Sequence, residues 1–302
     1  MRKLLLPLAS VVFLIMQSGP AAAEALTAAL NAARTDSGIP FRLQVNCTEE
    51  DSRRSLEVIR GSVAVWGSDR QVRLADKDRR ALIDLLLDAD FANFAPRYGE
   101  TPKADKQEAP LRVSCRIHVA LQEVQKTSVQ VLDGEQSEQL LGLARRLLDR
   151  VEPLAADGVT AVTLEDGLAK LADGALAPEL LDLRLVTIAD AGGDEPGAIV
   201  RIEGGQVSRQ AYNPGETVGA VQIRDLTQCQ LQDIILALRD ARLWALPINM
   251  HTDAVTELEV RVLSQRKTVI GRPTFKPAPI KQQTAFADVL TRIDSQPAEC
   301  NE

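Results

Sequence analysis

Apolar residues in this chain follow two periods, and the two periods succeed one another in the same order twice. In Phe41-Arg42-Leu43-Gln44-Val45-Asn46-Cys47 every second residue is apolar, the pattern of a strand with one face on a core. Leu183-Arg184-Leu185-Val186-Thr187-Ile188 repeats it less cleanly. A helix precedes each strand. Residues 24–33 place Leu26 and Leu30 at i, i+4, and residues 164–172 place Leu164, Leu168 and Leu171 on one stripe. Further strands are expected over 56–66 and 71–74, and again over 198–203, 206–211 and 218–223. Gly67-Ser68-Asp69 and Glu203-Gly204-Gly205 supply turn signals.

The central helices carry the clearest match. Leu82, Leu85, Leu86, Ala89 and Phe91 correspond, at an offset of 152, to Ile234, Ala237, Leu238, Ala241 and Leu243. Asp76 and Asp225 or Thr227 are candidate N-caps, and Pro96 and Pro247 follow where the helices end. Later strands are expected over 111–121 with 128–132 and over 257–263 with 268–270. Closing helices follow over 135–150 and 281–293. Hairpins outnumber crossovers. The expected class is therefore α+β: two tandem repeats of a helix-covered, mostly antiparallel sheet domain, spanning 24–152 and 153–302. Residues 152–158, with Pro153 and Gly158, are the expected linker.

Residues 1–23 read as a signal peptide. Arg2 and Lys3 precede an apolar run over 4–16, and Ala21-Ala22-Ala23 offers a cleavage site before Glu24. The run is about 13 residues and contains Pro7, whereas a membrane span needs about 20. No later segment is apolar enough to span, so a periplasmic or secreted protein is expected. Removing Arg2 and Lys3 from 35 basic residues leaves 33 against 42 acidic ones, a net charge of −9. The first half then carries 19 basic and 21 acidic side chains, the second 14 and 21. Such a chain repels polyphosphate, which excludes nucleic acid as a partner. Aromatic residues are only 3% of the chain, so its cores must be built from Leu, Val, Ile and Ala.

Four cysteines in an oxidising compartment point to disulfides. Cys47 is in phase with Leu43 and Val45, and Cys115 with Val113, Ile117 and Val119, so both face the first core. Pairing within halves, Cys47–Cys115 and Cys229–Cys300, is expected. A zinc site would want CxxC or a Cys/His cluster, and none occurs. Cys115 and His118, three apart in a strand, point to opposite faces and cannot form a dyad. His251 falls in a polar loop. Asp190, Asp194 and Glu195 group in a glycine-rich loop without calcium-binding spacing. GxSxG, HExxH and phosphate-cradling loops are absent, and no metal or cofactor is implied.

The remaining feature is the outer sheet face of the first half. Strand phase points Arg42, Arg73, Arg112, Arg116 and His118 away from the core. Their second-half counterparts, Arg184, Arg224, Glu257, Glu259 and Arg261, form a mixed set. The long polar loops over 97–110 and 271–279 could extend a binding surface. These features suggest an exported, non-enzymatic binding protein of the partner-binding, inhibitor or immunity type, acting on a protein or an anionic envelope polymer. The alternative is an envelope hydrolase whose carboxylate pair assembles only in three dimensions.

Overall fold

A computed structural model describes residues 20–49, 52–99, 113–131, 137–188, 197–213 and 216–294. The first half runs α1 (Pro20–Thr35), β1 (Arg42–Glu49), β2 (Ser52–Ile59), β3 (Val63–Trp66), β4 (Arg70–Arg73), α2 (Asp76–Asp88), β5 (Arg97–Tyr98), β6 (Val113–Leu121), β7 (Val124–Val131) and α3 (Glu138–Ala155). A short β8 (Val159–Thr160) precedes the second: α4 (Leu164–Ala172), β9 (Leu181–Ile188), β10 (Gly197–Glu203), β11 (Gln206–Asn213), β12 (Glu216–Asp225), α5 (Gln228–Asp240), β13 (Asn249–His251), β14 (Val255–Val262), β15 (Gln265–Arg272) and α6 (Ile280–Asp294).

The two halves are copies of one topology. The first sheet is ordered β5-β7-β6-β1-β2-β3-β4 and continues into β8; the second, read from the matching end, is β13-β15-β14-β9-β10-β11-β12. In each, only the short strand after the central helix pairs in parallel, β5 with β7 and β13 with β15. The fold is thus α+β, a tandem repeat of a mostly antiparallel sheet covered by helices. Backbone details repeat as well. Arg60-Gly61 and Gly204-Gly205 take left-handed φ in the β2–β3 and β10–β11 turns. Asp90 and Arg242 do so where α2 and α5 end, and Gln122 and Leu263 in the β6–β7 and β14–β15 turns. A leucine in that region is uncommon, so its match to Gln122 marks a shared turn rather than a shared residue preference.

Alternation places Leu43, Val45, Leu56, Val58, Ile117 and Val119 on one sheet face, beneath Leu26 and Leu30 of α1, Leu82 and Leu86 of α2, and Leu143 and Leu147 of α3. The second core repeats this with Leu183, Leu185, Leu258 and Val260 under Leu168, Ile234, Leu238, Phe286 and Val289. The equivalent pairs Leu82/Ile234, Leu86/Leu238 and Phe91/Leu243 are all at most 1% exposed. Thr227 caps α5 with a full capping box to Gln230, as its sequence suggests. At α2 the cap is Ala75 instead, and Asp76 is the first helical residue, where its charge faces the positive helix end.

Two further expectations are corrected. The stretch 56–66 is not one strand: the Arg60-Gly61 turn folds it into the β2–β3 hairpin. The linker is also shorter than 152–158, because α3 continues through Pro153 to Ala155. Pro153 lies on the exposed side, and burial of Ala155, with Leu154 packing alongside, outweighs the one lost backbone bond. After residues 156–158 the chain adds β8 to the first sheet, with Arg70 opposite Thr160 and Gln71 opposite Val159.

The halves are welded together. Val63 and Val65, on the face of β3 opposite the first core, join the second core with Leu176, Ala177 and Leu180. Beside them Gln71 is buried and its Oε1 accepts the Ala177 N–H at 2.6 Å. Gln71→Leu leaves that N–H buried without an acceptor. We expect a loss of about 1–3 kcal/mol in denaturant unfolding, with a single transition retained.

Candidate functional site

The outer face of the first sheet is built by register. Gln44 lies opposite His118 and Asn46 opposite Arg116, with Arg42 opposite Ala120. Across β2, Gln44 lies opposite Glu57 and Asn46 opposite Ser55. Arg42, Arg116 and His118 therefore share one face, as their phase in the sequence implies. Arg73 is on the same sheet face several strands away and donates to the Gly174 carbonyl at 2.9 Å, so it belongs to the contact between the halves. Arg112 lies outside the described residues.

Arg42 is not a free cation. Its Nη2 reaches Glu57 and Glu203, each at 2.7 Å, and Gln44 Nε2 also donates to Glu57 at 2.9 Å. Burial alone would lower its pKa, but the bonds to Glu203 and Glu57 outweigh this and hold it above the ordinary arginine value. Glu203 belongs to the second half, so Arg42 ties the outer faces of the two sheets together. Around it lies a groove of about 380 Å³ whose charged walls are Arg53 and Glu57 on one side and Glu179, Asp182 and Arg261 on the other. Burial raises the Asp182 carboxyl above its usual value, against the bonds from Arg261, and nearby Glu203 and Glu259 push the same way. Sequence phase had placed Arg42 and Arg261 outward. It could not show that the two outward faces meet.

Homologous positions on the two faces carry opposite charge. Leu43 pairs with Val119 and Val58, and Leu183 with Val260 and Ile202, which fixes the correspondence. Arg42 then matches Asp182, Arg116 matches Glu257, and His118 matches Glu259. On the second face most guanidinium groups meet a carboxylate: Arg184 with Glu257, Arg261 with Asp182, and Arg266 with Glu259. Arg224, expected among this outer set, is opposite Val207 and so points to the helix-covered side. On the first face Arg53 and Arg116 have no carboxylate partner among the described residues.

His118 sits near Arg116 and Arg42, with Nδ1 2.8 Å from Thr127 Oγ1. Burial lowers its pKa, and the charges of Arg116 and Arg42 lower it further. A histidine held neutral in the folded state contributes stability above its ordinary value of about 6.5, and that contribution is lost as pH falls through the folded value. His118→Gln should therefore flatten the fall in melting temperature between neutral and mildly acid pH. An unchanged acid limb would show that other groups govern it.

Cys47 lies opposite Cys115 in register, and the two are disulfide-bonded. Cys229 is also disulfide-bonded, to a partner outside the described residues, where Cys300 lies. The bond and the opposite facing of His118 rule out a Cys115–His118 dyad. His251 is the last residue of β13, paired with Arg272 of β15, rather than a loop residue as its polar surroundings suggest, and its Nδ1 lies 3.1 Å from the Phe275 carbonyl. The acidic loop with Asp190, Asp194 and Glu195 falls outside the described residues.

No protein-family model matches the chain, and no curated protein matches it. Among solved structures, the DNA polymerase III β chain of Streptococcus pneumoniae aligns with 86% of this chain at 12% identity and a TM-score of 0.13, and this chain spans 66% of that one. A score that low carries no argument. Among the described residues no helix is long and apolar enough to cross a membrane.

Proposed function

We propose that this chain is an exported, non-enzymatic binding protein that holds an acidic segment of a protein partner on the outer face of its first sheet. The observation that carries the reading is the charge asymmetry of the duplicated faces. The second face pairs most of its arginines internally, whereas the first leaves Arg53 and Arg116 open beside His118, Gln44 and Asn46. Open guanidinium groups beside amide side chains suit carboxylates. An envelope glycan is favoured less, because Trp66 and Tyr98 of the first half pack toward its core and no aromatic ring stands on this face among the described residues. Export rests on the signal-like residues 1–23 and on the Cys47–Cys115 bridge.

The test is capture from envelope extract by wild type and by Arg53→Glu/Arg116→Glu at low and high salt. Wild type should retain an acidic protein that salt and the double variant both release, with melting temperature nearly unchanged. Equal capture by both proteins, or retention of a polysaccharide instead, overturns the reading.

The groove gives a hydrolase one specific support, the raised Asp182 carboxyl near Glu203. Against it, Glu57, Glu203 and Asp182 each accept a bond from an arginine, so the groove offers paired ions rather than a free acid and base. Turnover of envelope polymers by wild type but not by Asp182→Asn would favour the enzyme.

A further inference from the structure

The two cores differ at one end. In the first, α3 lies across β1, β2, β3 and β4, where Val72 is buried and Trp66 packs against the same core. In the second, α6 runs 15 residues against 18 in α3 and packs chiefly on α5. Register aligns the copies here strand by strand. Leu56 pairs with Trp66 as Val200 pairs with Arg209, and Ala64 pairs with Val72 as Val207 pairs with Arg224. Arg209 therefore stands where the first half has Trp66, and Arg224 where it has Val72, which is 5% exposed. A cavity of about 310 Å³ lies at this place, between the sheet and the two helices. Its apolar walls are Val200, Ile202, Val207, Leu226, Ile234 of α5 and Ile293 of α6, all but Val207 at most 5% exposed. Exposed Ile223 marks its open side, and Gln222 and half-buried Arg224 complete the lining with Arg209.

We infer that this cavity binds a single-chain aliphatic carboxylate, the chemistry of a free fatty acid. The chain lies against Val200, Ile202, Ile234 and Ile293, and the carboxylate meets Arg224. Close-packed interiors leave few voids larger than a water molecule, and apolar walls with a few polar groups are the form of a small-molecule site. The head group follows from the arginine. Arg224 makes no hydrogen bond or ion pair with any described residue, so its guanidinium is available to both oxygens of a ligand carboxylate. A neutral alkyl chain leaves that charge unanswered, and a lipid with two chains exceeds the volume. The cavity is separate from the arginine face of the first sheet, and binding here does not depend on that face.

Isothermal titration of the purified protein with dodecanoate, below its micellar concentration, tests this directly. Wild type should bind dodecanoate saturably, and each methylene removed from the chain should weaken binding about fourfold. Arg224→Gln should weaken dodecanoate about tenfold and leave the weaker binding of neutral dodecanol unchanged. Arg209→Trp, which gives this half the ring that the first half carries, should fill the cavity and remove binding. Circular dichroism and melting temperature confirm that both variants are folded. A wild type that does not bind dodecanoate saturably overturns the inference. So does dodecanoate binding of equal strength in wild type and Arg224→Gln, or binding that Arg209→Trp leaves intact in a folded protein.

Discussion

Replacing Cys47 and Cys115 together by alanine is expected to lower the unfolding free energy by about 4 kcal/mol. The bridge closes a loop with a sequence separation of 68, and a loop of that length constrains the unfolded chain by roughly this amount. A domain of this size is stable by about 5–15 kcal/mol, so the variant loses a large share of its margin. The bridge also joins β1 to β6, neighbouring interior strands of the first sheet, so the cost should fall on the first half. Urea unfolding of the variant, and of wild type with and without reductant, checks this. The variant should fall well below the oxidised protein, and reduced wild type, which also loses the Cys229 bridge, should be no more stable than the variant. A shift under about 1 kcal/mol in both would mean that the two strands are held by packing alone.

Arg79→Met should cost about 3 kcal/mol, although its charge lies far from the candidate site. Arg79 is 3% exposed, and its guanidinium donates to the carbonyls of Ala33, Asp36 and Ile39 at 2.6, 3.3 and 3.1 Å. It thereby caps the negative end of α1 and clamps the turn into β1. Burial lowers its pKa, so the protein maintains a charged group where desolvation opposes it, and the carbonyls offset that penalty. Methionine fills similar volume but strands the acceptors. Limited proteolysis should then cut near residues 36–40 before the rest of the chain. Equal stability with an unchanged cleavage pattern would show that the α1 end needs no cation.

Much of this architecture is legible in the sequence, and the reasons are local. The helix stripe through Leu82, Leu86 and Phe91 and its match in Ile234, Leu238 and Leu243 need only the 3.6-residue period. Strict alternation over 41–47 places Cys47 inward and Arg42 outward without further information. What fails is whatever depends on the two halves meeting. Arg42 and Arg73 point outward as their phase requires, yet one is paired with Glu57 and Glu203 and the other donates to the Gly174 carbonyl. Val63 and Val65 alternate with nothing because β3 is buried on both faces. Arg79 reads as an ordinary helix-surface residue, since its acceptors lie at the end of α1 and in the turn after it, forty or more residues away. One signal was available: aligning the repeats by register sets Arg116 against Glu257 and His118 against Glu259, an exchange of charge on otherwise matching faces.

On the proposed function, Arg53 and Arg116 make the first face a site for carboxylates. It is tested most directly by titrating a fluorescent oligoglutamate peptide, with oligolysine as control, and reading anisotropy at low and high salt. Oligoglutamate should bind saturably, with high salt and Arg53→Glu/Arg116→Glu each abolishing the signal, and oligolysine should not bind this face. Oligoglutamate binding of equal strength to wild type and the double variant, or stronger binding of oligolysine to wild type, would contradict it.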